Sequence, residues 1–519
     1  MSRVRRASVA AAFSYLQFGL SMAVGIAMVP FILSRVDIGV YGLWLATGEV
    51  LAYAAMADLG ILAIVPWIVG QADGRNDRDA IRRVLANGTC AAIVVSIVYL
   101  AVVATLWTVA PASVLSAQQR ASIGGPLWLI ATVTAVVLPL RIANAVLVGL
   151  QDVRFCGIVA TIAWSLDVMV TATLLVKGFG LYALAAGASV PPLVAAVANI
   201  VRIRLVAPDL LSGWQLPTPA GVAALLRDGF GGWLGGWGWR LSAASDGIVL
   251  GYLLGQPVSV ARLALTSKLS QTLMQLSWVP GDSGLVGLSQ LSGEADRSRV
   301  RAAVVALFAL YLTLAAAGAC VVLVLNAPFM QWWVPEGIFG GRALTLLLAA
   351  SMVAVTVSHA FSTIVSVLGG RVRVGVVALS TGCVQIVLCY VLARRYGMIG
   401  VPIAALLAQA FVLYPLLLRP LVALTGVNAG DFVRGVAGRW AVRSIPVLTV
   451  CATACVVLWT APLWVAAPLA GLSAVTYLLI TRHLLIEYRP VAELLRRPLA
   501  RLRLDGLLTL PQPQGRVSR

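Results

Sequence analysis

The feature that most constrains this chain is a series of apolar stretches, each about 20 residues or longer and separated by short polar or Gly/Pro-containing breaks, running from Ser8 to Ile480. A bilayer core about 30 Å thick is crossed by a helix of roughly 20 apolar residues. A soluble domain needs no such series of long segments. Composition agrees, with 519 residues, 60% hydrophobic and 11% charged, against about a quarter charged in an ordinary soluble domain. Arg3, Arg5 and Arg6 precede the first apolar run, but it continues to Leu33 without a small-residue cleavage site, which makes it a span rather than a signal peptide. The expected fold class is an all-α polytopic membrane protein of about 14 transmembrane helices. The approximate limits are 8–33, 40–66, 84–110, 125–150, 156–176, 181–205, 229–254, 261–288, 302–326, 342–368, 374–393, 399–422, 444–462 and 464–481.

Charge orients the spans. With the N-terminus inside, Arg75, Arg78, Arg82, Arg83, Arg154, Arg202, Arg204, Arg227, Arg297, Arg299, Arg301, Arg371 and Arg373 all fall in inner segments. The outer loops keep about six basic residues, namely Arg35, Arg120, Lys177, Arg342, Arg394 and Arg395. Basic residues are retained on the cytoplasmic side, so both ends are expected there. The net charge of +19 is then directed at anionic lipid headgroups rather than nucleic acid. The tail 483–519 alternates Leu and Arg around Leu494–Arg503, as a helix lying on the inner surface would.

Fragments recur at an offset of about 217 to 221 residues. Val153-Arg154 after Gly149 matches Val372-Arg373 after Gly369-Gly370. Phe179-Gly180-Leu181 matches Tyr396-Gly397-Met398, and the segment 32–41 corresponds roughly to 249–260. This predicts two six-helix lobes related by a pseudo-two-fold axis along the membrane normal. Their limits are 1–205 and 229–424, with a cytoplasmic linker at 206–228. The segment 425–482 adds helices 13 and 14, ahead of the basic tail.

Charged side chains at bilayer depth cost at least ~2.5 kcal/mol on insertion scales, so each needs a partner, a wet cavity or a route to the interface. Arg141, Arg240, Arg262 and Lys268 form a cationic set suited to a phosphate-bearing ligand, which guanidinium grips in bidentate fashion and ammonium as a point charge. The structural alternatives are pairing of Arg240 with Asp167 or Asp246, and snorkelling of Arg262 from the start of its span. Glu49, Asp246 and Asp167 are either proton carriers or partners of a cavity arginine. Asp58 is read as ordering a helix end ahead of binding a coupling ion. His359 is expected to be a hydrogen-bonded helix residue, since no second membrane histidine exists to take up its proton. The seven cysteines lie in apolar runs as small core residues, and no metal site or cofactor is expected. No Gly-x-x-x-x-Gly-Lys-Ser/Thr loop is present, so ATP does not act on this chain directly.

Tyr41-Gly42-Leu43-Trp44, followed by Asp58-Leu59-Gly60-Ile61, resembles the opening of the polysaccharide transport (Wzx-type flippase) family of the multidrug/oligosaccharidyl-lipid/polysaccharide exporter superfamily. Leu138-Pro139-Leu140-Arg141 with Gly149-Leu150-Gln151 looks like that family's fourth span. Asp246-Gly247-Ile248-Val249-Leu250-Gly251, Val260-Ala261-Arg262-Leu263-Ala264 and Lys268-Leu269 look like its seventh and eighth. Where many relatives carry a tyrosine, this chain has Arg262. The resemblance implies translocation of undecaprenyl-diphosphate-linked oligosaccharides by alternating access in the bacterial cytoplasmic membrane, with Arg141, Arg240 and Lys268 holding the diphosphate or acidic sugars. Membrane lipids and other polysaccharide-assembly proteins are the further partners expected. The rivals are a multidrug or cation exporter, which should place carboxylates rather than arginines in the cavity, and a glycan polymerase or ligase. An enzyme of the latter kind needs acid/base residues in a sizeable outer loop, whereas the longest outer segments here, 111–124 and 327–341, contain one acid, Glu336.

Overall fold

The computed structural model describes residue 19 and residues 24–55, 60–109, 116–150, 152–212, 215–293, 297–426, 430 and 433–486. Among the described residues the secondary structure is entirely helical. In chain order the helices are α1 (Val24–Leu33), α2 (Ile38–Ala55), α3 (Ile61–Gly74), α4 (Arg78–Val109), α5 (Ala117–Gly149), α6 (Val153–Val176), α7 (Leu181–Val206), α8 (Asp209–Ser212) and α9 (Pro219–Ala244). Next come α10 (Asp246–Ile248), α11 (Pro257–Thr266), α12 (Lys268–Gly293), α13 (Arg297–Trp333), α14 (Arg342–Val367) and α15 (Arg371–Tyr396). The last are α16 (Gly400–Ala408), α17 (Tyr414–Thr425), α18 (Arg439–Val457) and α19 (Leu463–Ile486).

The fold is that of a polytopic all-α membrane protein. Among the described residues, nine helical segments are long and apolar enough to cross a bilayer. One of them, Val372–Thr425, is 54 residues long, enough for two passes at ~1.5 Å per residue. Pro219–Leu253 and Pro257–Gly293 are long enough as well but fall short in hydropathy. The first carries Arg227, Asp228, Arg240 and Asp246, and the second Lys268, Asp282 and many Ser and Gln side chains. These are the spans the sequence marked as seven and eight, so charge collects on the least apolar helices.

Local sequence sets the helix ends. Ser116 opens α5 with a capping box, its Oγ accepting the Gln119 N–H at 3.2 Å while Gln119 Oε1 accepts the Ser116 N–H at 2.9 Å. Thr218 caps α9 ahead of Pro219, and its own N–H donates to Asn87 Oδ1 of α4 at 2.8 Å. This begins α9 ten residues before the limit of 229 expected from hydropathy. The expected second span, 40–66, is two helices, because Gly60 takes the left-handed φ of +77° between α2 and α3. A side chain at 60 would also meet the backbone of Gly229. The two turns matched across the sequence repeat share one device: Gly180 (φ +54°) precedes α7 and Gly397 (φ +60°) follows α15.

Two compact units are present. Residues 1–263, with 333–335 and 389–398, form one, and its core packs Ile61, Val65 and Val69 of α3 with Ile81, Ile142, Val146 and Ile203. The other comprises 264–332, 336–388 and 399–519. Its axis is α13, 83% buried over its most apolar window against 17% for α18 and for α19. Phe308, Tyr311 and Leu312 of α13 pack with Phe361 and Ile364 of α14 and Leu417 of α17.

Candidate functional site

Three charged residues of the first unit, Glu49, Arg240 and Asp246, lie where α2 meets α10. Glu49 Oε2 accepts the Ile248 N–H at 3.0 Å. Gly247 makes room for it, since a side chain there would fall on the Glu49 carboxylate. The contact lies at an interruption: α9 ends at Ala244, Ser245 bends the chain, and Val249–Leu253 form a wider π-helical turn. Close approach continues along α2. Thr47 and Tyr252 share a hydroxyl hydrogen bond of 2.5 Å, Ala46 lies against Gly251, and Gly42 lies against the carbonyl of Pro257. Small residues let the two backbones meet. Arg240 is in electrostatic reach of Glu49, and Asp246 Oδ1 accepts the Cys389 thiol at 3.8 Å. This cluster therefore joins two residues from the expected set, Arg240 and Asp246, to a third, Glu49. Glu49, read from the sequence as a proton carrier or a partner of a cavity arginine, is within electrostatic reach of Arg240.

The remaining candidates are dispersed. Arg141 is exposed on α5 and, among the described residues, has no hydrogen-bond or ion-pair partner. Arg262 on α11 is partly buried, and among the described residues its Nε has no hydrogen-bond partner. Lys268, the first residue of α12, is exposed. Asp167 accepts the Thr171 hydroxyl at 3.1 Å, one turn along α6, opposite Gly187 of α7. Asp58 and the basic tail after Ile486 lie outside the described residues. The tryptophans of α9 have a definite place: Phe230, Trp233 and Trp237 form an aromatic series with ring centroids 5.2 and 5.7 Å apart. Trp233 and Trp237, with Val94 and Val98 of α4 among others, line an apolar cavity of about 310 Å³.

The second unit holds a cluster that no single sequence segment contains. His359 Nε2 and the Tyr311 hydroxyl both reach Asp282 Oδ1, at 2.8 and 2.7 Å. His359 stacks on Trp278 with centroids 4.1 Å apart and planes 5° from parallel. The partners stand 77 and 29 residues from Asp282 in the chain, and only the packing of α12, α13 and α14 assembles them.

The fold is similar to that of solved transporters of the MOP superfamily. The chain is similar to a multidrug resistance MATE family transporter of that superfamily in its inward-facing conformation, at 12% identity over 78% of this chain and 100% of the other, with a TM-score of 0.59. It is similar to a MOP superfamily transporter from Pyrococcus furiosus (12% identity, 80% of this chain and 93% of that one, TM-score 0.54). It is likewise similar to the lipid II flippase MurJ in an inward closed conformation (14% identity, 89% and 98%, TM-score 0.51). No protein-family profile matches the chain, and no curated protein matches it in sequence.

Proposed function

We propose that this protein is a flippase that moves undecaprenyl-diphosphate-linked oligosaccharides from the cytoplasmic to the outer leaflet of the bacterial inner membrane by alternating access. One observation carries most of the proposal: the likeness to the lipid II flippase extends over 89% of this chain, against 78% for the MATE transporter. The cationic residues support the same reading. Arg141 is an exposed guanidinium at bilayer depth without a protein partner among the described residues, a condition that calls for water or an anionic ligand. With Arg240 and Lys268 it would hold the diphosphate, and Arg262 is a fourth contributor. Asp246, Asp167 and Asp58 are the candidates for coupling to an ion. The distribution of basic residues supports a cytoplasmic position for both chain ends, and membrane lipids and other polysaccharide-assembly proteins are the further partners on this reading.

A second reading, multidrug export, is favoured by the TM-score of 0.59 to the MATE transporter. Purified protein in liposomes distinguishes the two. Protein-dependent translocation of a fluorescent undecaprenyl-diphosphate oligosaccharide is the expected result. Absence of flux with several glycans in folded protein, together with export of a cationic dye, would overturn the flippase reading.

A further inference from the structure

We propose that Asp282 and His359 form a site in the second unit at which the protein binds and releases a single proton. On the flippase reading, this is the proton whose gradient drives transport. The geometry differs from that of a helix–helix staple. Two donors converge on one carboxylate oxygen, His359 Nε2 at 2.8 Å and the Tyr311 hydroxyl at 2.7 Å. The Asp282 side chain nevertheless stays 42% exposed, while that of His359 is 17% exposed. A carboxylate inside a membrane span does not face hydrocarbon, so its open side faces water, which gives the pair a path for proton exchange. With Asp282 ionised, Nε2–H donates to Oδ1 in both states of the ring, and Nδ1 is the atom that gains and loses the proton.

The surroundings hold the ring in place and set its charge balance. Trp278 lies face to face with the imidazole and is anchored by its own Nε1–H, which donates to Thr356 Oγ1 at 3.2 Å. Tyr311 approaches edge-on from α13, at 5.8 Å. That approach requires Gly281, because a side chain there would overlap the Tyr311 ring. The groups brought by the neighbouring helices are few. Asp282 comes from α12 and Tyr311 from α13. Tyr414 of α17 sits on the carbonyl of Ala354 at 2.8 Å, about one turn before His359. Segments 400–408 and 409–413 carry no ionisable residue, and α18 carries Arg439, Arg443, Cys451 and Cys455. The carboxylate bonded to the ring is the only acid among these groups. An imidazolium at His359 thus has its counter-ion in contact.

The stacked indole supplies a readout that requires no substrate, since an imidazolium against a tryptophan face quenches its emission while a neutral ring does so less. Emission of the detergent-purified full chain is recorded from pH 5 to 9 for the wild type, Trp278→Phe, His359→Gln and Asp282→Asn. A one-proton transition is expected in the wild-type minus Trp278→Phe difference. It should be absent in His359→Gln, whose amide keeps a donor to Asp282 but does not titrate, and displaced along the pH axis in Asp282→Asn. A flat difference, or a transition that survives in His359→Gln, would overturn the proposal. In liposomes, His359→Gln should keep downhill glycan flux and lose at least tenfold in its acceleration by an imposed proton gradient; unchanged acceleration would overturn the coupling role. A clear titration with no glycan flux in any protein would leave the proton site standing and remove the flippase reading.

Discussion

Glu49 on α2 accepts the backbone N–H of Ile248 at 3.0 Å, so a charged side chain from one helix closes the gap left by the break in another. Glu49 accepts that N–H and also stands within electrostatic reach of Arg240.

Replacing Glu49 by Ala should therefore cost more than replacing it by Gln. The alanine variant leaves a partly buried N–H without this acceptor, a loss of ~1–3 kcal/mol, whereas the Gln side-chain oxygen still accepts it. Thermal unfolding in detergent should rank the melting temperatures wild type, Glu49→Gln, Glu49→Ala, and equal losses in both variants would show that the hydrogen bond adds nothing.

Arg141→Ala should stop glycan translocation and leave stability within ~0.5 kcal/mol of wild type, as is usual for a side chain without protein contacts. Arg240→Ala should also stop translocation but lower the melting temperature, because Glu49 loses a positive charge within electrostatic reach. Flux and melting measured on the same preparations separate the two roles, and unchanged flux in both variants would remove these arginines from the mechanism.

Gly42→Val should destabilise the first unit. Its new side chain would overlap the Pro257 carbonyl and approach Ala261, and overpacking of this kind costs ~1–3 kcal/mol. Gly48→Val, on the same helix and with open space around a Cβ, is the control. Comparable melting of the two variants would contradict the close packing of α2 on α11.

Tyr477→Phe should loosen α18 from α19. The Tyr477 hydroxyl accepts from Trp440 Nε1 at 3.1 Å and bonds Ser444 at 2.8 Å, with both Tyr477 and Ser444 fully buried. Its loss leaves Trp440 and Ser444 without that bond, at ~1–3 kcal/mol. Proteolysis at the 458–462 connection should accelerate in the variant, and an unchanged rate would show that the pair holds by apolar packing.

Much of the fold was legible because hydropathy and helix length are local properties of a sequence. The span limits 156–176 and 181–205 lie within a few residues of α6 and α7. The breaks were less visible. Gly60 reads as one more small residue in an apolar run, and neither its left-handed φ nor the Gly229 backbone beside it is marked there. The π-helical turns at 249–253 and 409–413 have no compositional mark. In the site, Arg240 and Asp246 were singled out by charge on a Gly-rich span, but the position of Glu49 depends on the packing of α2 against α10. His359 was expected to be a hydrogen-bonded helix residue, and it is, with a carboxylate 77 residues away in the chain as its partner. Asp282 is visible in the sequence as an acid within the eighth span, but nothing there joins it to His359.

The contacts of α2 with residues 246–261 also bear on how the first unit can move. Gly42 against Pro257, Ala46 against Gly251, Thr47 bonded to Tyr252 and Glu49 bonded to Ile248 follow one another along two turns of helix. Such a zipper has no slack for sliding or twisting in small steps. On the flippase reading these two elements would travel as one rigid lever, with the bending expected at the joints that flank it, Gly60 and the Ser245 bend.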